Sequence, residues 1–139
     1  MVVFRYKSEA GFHSKIVKRP VADVWLKKGS GWLEFHPYID SGADVSLISL
    51  SLGKLIGLEI RNEQVEEIGG IRGAVPVVYK NWPVKIGGKI LEILIAWALI
   101  EEVPPLLGRA GIFDSFDITF RQKEEKIIFE ESKGERLLI

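Results

Sequence analysis

The chain has 139 residues, 47% of them hydrophobic and 27% charged, enough for one domain with a core of its own and unlike a disordered composition. Its formal net charge is zero, which excludes a global basic field that would recruit nucleic acid or an acidic membrane surface. There is no cysteine, which excludes disulfides and thiolate chemistry; His13 and His36 have no second ligand at metal spacing, and no metal site is expected.

From the N-terminus, Met1 to Lys7 is too short and too charged for a signal peptide, and Val2 to Tyr6 reads as a short strand. The longest apolar run, Ile90 to Ile100, is broken by Glu92 and falls well short of the ~20 residues of a bilayer span. The expectation is a cytoplasmic protein with no membrane partner. Lys15 to Leu26 holds strand-prone Ile16, Val17, Val21, Val24 and Trp25, with Pro20 marking an edge or a strand start. Lys27 to Gly31 is a hairpin loop, and Gly31 opens a strand that ends at Asp40.

Beyond Val45 the pattern becomes helical. Ser49 to Gly57 predicts a short helix with Ser49 as N-cap and Gly57 just past the C-terminus. Leu58 to Glu67 predicts a strand rising to a loop, and Ile68-Gly69-Gly70-Ile71-Arg72-Gly73 a mobile turn between two apolar arms. Ala74 to Val84 and Lys89 to Ile100 predict two strands joined by a glycine turn, the second nearly all apolar and so a central strand; a buried helix is the other reading of that run. Glu101 to Pro105 is a turn, Ala110 to Phe116 a helix of one or two turns, and Asp117 to Phe120 with Lys126 to Phe129 a hairpin. Many short strands with one or two short helices argue for a closed, mostly β domain. The four tryptophans, Trp25, Trp32, Trp82 and Trp97, are expected in the core.

The chemistry concentrates in Tyr38 to Ser46, where an acid ends an apolar strand and is followed by a hydroxyl, a glycine and a second acid. A carboxylate at a strand end sits at the rim of a core, and Gly42 lets the backbone approach it closely. Taken alone, Asp-Ser-Gly is also an ordinary surface turn. What changes its weight is the order of three pieces: Asp40-Ser41-Gly42-Ala43-Asp44, then Ile68 to Gly73, then Leu106-Leu107-Gly108-Arg109.

Together these resemble the retropepsin-like aspartic proteases, from about Val21 to Phe120. The resemblance implies one all-β domain over residues 1–139, a closed β-barrel of the acid-protease half-domain type with one or two short helices. Residues 1–20 would be an N-terminal extension and residues 121–139 a C-terminal hairpin and tail. It implies that Asp40 is the catalytic acid and that, with one such motif per chain, the working unit is a symmetric homodimer. Ser41 would lock the two active-site loops together, standing where the family more often has threonine; Gly42, Ala43 and Gly108 would support the loop, and Asp44 would pair with Arg109. Ile68, Gly69, Gly70, Ile71, Arg72 and Gly73 would form the flap over a peptide substrate, with Arg72 where retroviral enzymes have glycine. Ile48, Val103, Pro104 and Leu106, beside these motifs, are candidate pocket walls.

Two function classes stay open at this point. One is an endopeptidase acting on extended polypeptide segments, with neither metal nor organic cofactor. The other is a non-proteolytic dimer of the same fold that grips peptides or scaffolds another protein. A third possibility is a precursor whose residues 1–20 cover the cleft.

Overall fold

The computed structural model describes residues 1–70 and 73–133. Strands take up 54% of the chain and helix 7%, so the architecture is mostly β. The strands are β1 (Val2–Arg5), β2 (Lys7–Ala10), β3 (Ile16–Arg19), β4 (Val24–Lys28), β5 (Gly31–Phe35), β6 (Tyr38–Ile39) and β7 (Ser46–Ile48). The helix α1 (Leu50–Leu55) follows, then β8 (Glu66–Gly70), β9 (Gly73–Ile86), β10 (Lys89–Ala98), β11 (Leu106–Leu107), β12 (Phe116–Arg121) and β13 (Lys126–Glu131). No helix among the described residues is long and apolar enough to cross a membrane.

The main sheet has eight strands in the order β5-β4-β9-β10-β7-β11-β6, with β8 paired to β9 beside that path. It curls into a half-barrel. The closure expected from the sequence is not a continuous ladder among the described residues: beyond β6 it goes as far as one antiparallel bridge, Val21 to Tyr38, just before β4 begins. As the apolar run predicts, β10 is central, antiparallel to β9 and parallel to β7. Its side chains alternate near the start and are buried on both faces from Ile95 to Ala98, as a covered strand requires.

Inside the curl lie Leu26, Val84, Ile86, Ile93, Ile95 and Trp97, all essentially without solvent contact. A second sheet, β1-β13-β12, closes one side of this core. Its Phe129 meets Phe4 and Phe116 edge to face, with ring centroids 5.2 and 5.4 Å apart, a preferred aromatic geometry. The charged C-terminal hairpin therefore contributes core from its inner face, while its turn is exposed as the sequence suggests. A third, two-stranded sheet is the hairpin β2–β3, within the residues expected as an N-terminal extension.

Three local expectations change. Leu58 to Val65 is irregular and only Glu66 to Gly70 forms a strand; Asn62 turns left-handed (φ 39°) and breaks the extension. The helix expected over Ala110 to Phe116 is a pair of turns, because Gly111 takes φ 76° near its start. A side chain there would strike Ile93, 2.8 Å from a Cβ. Of the four tryptophans, Trp97 is buried and Trp82 packs against the core, whereas Trp25 and Trp32 are half-buried beside Lys85 and Lys27.

Candidate active site

Strand β6 delivers Asp40. Tyr38 and Ile39 pair with Leu106 and Leu107 of β11, and the Asp40 amide continues that ladder by donating to the Leu107 carbonyl at 3.0 Å. The chain then turns: Gly42 donates its N–H to Asp40 Oδ1 at 2.9 Å and Ala43 donates to the Asp40 carbonyl at 3.2 Å. This is the local side-chain-to-backbone bond that short acids form at turns. A Cβ on Gly42 would lie 3.2 Å from the same carboxylate oxygen, so glycine keeps that oxygen uncrowded. Asp40 is half-exposed, and Ser41 and Gly42 are exposed at the rim.

The second loop is stitched to the first through backbone. Arg109 and Ala110 donate to the carbonyls of Ala43 and Asp44, each at 2.9 Å. Gly108 donates to Ser46 Oγ at 3.0 Å. A Cβ on Gly108 would sit 2.3 Å from the Val45 carbonyl oxygen and 2.9 Å from that of Ala43, so the two loops touch only because position 108 has no side chain. The Arg109 guanidinium bonds the Asp44 carboxylate, and both side chains face water, at 55% and 84% exposure. The pieces that the sequence separates by 65 residues thus form one constellation.

The hairpin β8–β9, expected as the flap, is in register from Glu66 opposite Val77 to Gly70 opposite Gly73. Ile68 is half-buried, Gly69 and Gly73 are exposed, and Gly73 takes φ 105°; Ile71 and Arg72 lie outside the described residues. Ile48, named as a pocket wall, is wholly buried in the core. Val103 and Leu106 are half-buried and Pro104 is exposed. Val103 shares a small open pocket of about 250 Å³ with Phe35, His36, Ser49, Leu52, Glu101 and Pro105. Its rim is fixed by Glu101, which accepts from the Ser51 N–H at 2.9 Å and from the Ser51 hydroxyl at the start of α1. Those two bonds hold the Glu101 carboxyl below its ordinary range. A larger groove of about 700 Å³ between Met1, Gly87, Phe116 and Glu131 shares no residue with the Asp40 constellation.

Two arrangements escaped the sequence. Ser46 is wholly buried, a core-facing serine whose only visible sign was its place at the start of an apolar strand. The other joins β6 to the β2–β3 hairpin: the Tyr38 hydroxyl lies 2.8 Å from each Glu9 carboxylate oxygen, Arg19 Nε is 2.9 Å from Glu9, and the Arg19 guanidinium lies 6.0 Å from the Tyr38 ring centre. Desolvation first, then the bond and charge of Glu9, push the Tyr38 hydroxyl above its ordinary value. Nearby, Asp23, Glu34 and His36 converge with ligand atoms within 4.8 Å. Lys7 supplies the cation there, 2.7 Å from Asp23 and 3.0 Å from His36 Nδ1.

No family model matches the chain, and no curated protein matches it. Among solved structures it is similar to the EIAV protease complexed with the inhibitor HBY-793, at 25% identity and a TM-score of 0.55, over 66% of this chain and 83% of that one. The fold is retropepsin-like. Within this retropepsin-like half-barrel, the strand end at Asp40, the glycine-backed turn and the Gly108-Arg109 loop lie against one another as described.

Proposed function

We propose that the chain is an aspartic endopeptidase that works as a homodimer, one Asp40 from each subunit forming the catalytic pair. The observation that carries this reading is Asp40 at the end of β6, half-exposed, with the Gly42 amide on one carboxylate oxygen at 2.9 Å, in a retropepsin-like fold. A single carboxyl has no partner to share its work; a twofold axis beside the Asp40 turn supplies one.

Two carboxyl groups that close do not both ionise, so the pair holds one proton between them over a broad pH range. The ionised member takes a proton from a shared water as it attacks the scissile carbonyl. The protonated member donates to that carbonyl oxygen. Titration then belongs to the pair as a unit. Ser41, exposed beside Asp40, has the donor and acceptor to bond its mate across the axis. The β8–β9 hairpin closes over an extended peptide and pairs with it strand to strand while excluding water. The substrate groove lies between two copies.

The test is cleavage of an unbiased peptide mixture from acid to neutral pH by the native protein and by Asp40→Asn. Cleavage by the native dimer and its loss in a folded Asp40→Asn dimer is the expected result. A folded native dimer that cleaves nothing across that range overturns the protease reading in favour of a peptide-binding module.

A further inference from the structure

We infer that the β2–β3 hairpin is an arm that grips a second copy of this chain, its apolar tip packing on the partner next to the paired Asp40 residues. This rests on the dyad reading above.

The argument begins with alternation along β6. Ile39 points into the core, so Tyr38 and Asp40, one residue to either side, share the opposite face. On the dyad reading, the partner's Asp40 comes up beside that face. The hairpin is fastened to it. Glu9 accepts the Tyr38 hydroxyl with both oxygens at 2.8 Å and holds Arg19 at 2.9 Å, while Lys7 ties the base of β2 to Asp23 at 2.7 Å. Whatever the hairpin displays therefore lies along the approach of the second copy.

What it displays is apolar. Phe12 is 81% exposed and Ile16 is 76% exposed, and among the described residues β2 and β3 pair only with each other. The tip is also strained: His13 and Ser14, neither a glycine, take φ 56° and 60° in succession. Such conformations persist where a structure requires them and gather at functional contacts. Nor is this a frayed leader. Gly11 is packed so closely that a Cβ would lie 2.6 Å from Val17 across the hairpin, so the turn that carries the tip is itself tightly packed. Two exposed large apolar side chains on a strained tip fit a protein surface better than water. Within an interface a few residues that become fully desolvated carry much of the affinity, and Phe12 and Ile16 are the large apolar side chains of this tip with most surface to lose.

The experiment compares the native chain with Phe12→Ser/Ile16→Ser, measuring dimer dissociation by analytical ultracentrifugation and peptide cleavage over a range of protein concentrations. Circular dichroism checks the fold. The double variant should raise the dissociation constant by about tenfold or more. Its activity should fall at low concentration and return at high concentration with kcat unchanged. Glu9→Gln, which loosens the fastening and leaves the tip intact, should shift dissociation in the same direction by less. An unchanged dissociation constant overturns the arm. A changed KM with an unchanged dimer assigns the tip to substrate, and a rise in activity makes it a mask; either overturns it. A tip-dependent native dimer that cleaves nothing keeps the arm and removes the dyad, whereas a native chain that is monomeric at every concentration removes both.

Discussion

Gly108 gives its amide proton to the hydroxyl of Ser46 at 3.0 Å, and Ser46 is wholly buried. This bond pins the start of the Gly108-Arg109 loop under the strand that leaves the Asp40 turn. Removing the hydroxyl leaves a buried N–H without its partner, which costs about 1–3 kcal/mol. Ser46→Ala should therefore lower unfolding free energy by about that amount in denaturant titration and, on the proposed function, reduce cleavage by displacing both loops. A variant as stable as the native protein would show that water or a local shift replaces the bond. Gly108→Ala should be worse, since the new methyl would lie 2.3 Å from the Val45 carbonyl oxygen and the backbone must move.

The Arg109–Asp44 pair makes the opposite prediction for the single chain. Both side chains are largely in water, and exposed pairs contribute from nothing to about 1 kcal/mol. Arg109→Ala should leave monomer stability within about 1 kcal/mol of native. If the proposed dimer buries the pair, the same change leaves an unpaired carboxylate at the interface, and dimer dissociation should rise by about tenfold or more. The two measurements together separate a structural ion pair from an interface one: a large loss of monomer stability with unchanged dissociation would defeat the interface assignment.

These contacts also show what a sequence can disclose. The acid, the glycine after it and the Gly108-Arg109 pair were visible because each position demands a particular residue type. A Cβ at position 42 would lie 3.2 Å from the Asp40 carboxylate, and a position with a carbonyl oxygen 2.3 Å from its would-be Cβ, as at Gly108, must be glycine. The central strand β10 was visible because a strand turns continuously apolar where both its faces are covered, as from Ile95 to Ala98. Ser46 was hidden because a buried serine and an exposed one read alike until packing is known. Gly111 was hidden for a related reason: its φ of 76° answers to Ile93, a neighbour only in space, and so two turns passed for a helix. The Glu9–Tyr38–Arg19 contacts come from side chains 10 to 29 positions apart on strands of unremarkable pattern, and no local signal marks them.

Acid should loosen the base of the hairpin. Desolvation pushes the Asp23 carboxyl up, but the hydrogen bond and charge of Lys7, joined by His36, outweigh it and hold Asp23 below its ordinary value of 3.8. A depressed carboxyl contributes stability above its unfolded value and loses that contribution as pH falls through the folded one. The contact should therefore be intact at about pH 5 and weaken below the ordinary value of 3.8. Its size should stay below about 1 kcal/mol, because both partners are partly in water. Amide exchange in residues 7–19 should speed up in that acid window in the native protein. In Asp23→Asn it should already be faster at neutral pH and show less change on acidification. An identical pH profile in the variant would sink this assignment.

Gly53 sets helix propensity against packing, and packing should win. It lies within α1, where alanine is normally better than glycine by about 1 kcal/mol. Its would-be Cβ, however, falls 2.0 to 2.5 Å from the Trp97 indole. Trp97 is nearly wholly buried, and its Nε1 donates to the Leu50 carbonyl at 3.2 Å. The ring is held by the core on one side and by the helix on the other, so it has little room to yield. Overpacking of this kind costs about 1–3 kcal/mol, more than the propensity returns. Gly53→Ala should accordingly destabilise the fold by up to about 2 kcal/mol net in denaturant titration, with a shift in Trp97 fluorescence as the indole is displaced. Gly57→Ala makes a useful control just past the same helix: it meets no atom within 4 Å but takes φ 99°, so its cost should come from backbone strain alone and leave the indole signal unmoved. A stabilised Gly53→Ala would mean that α1 moves away from Trp97 at little cost, and that the contact between them is looser than the distances imply.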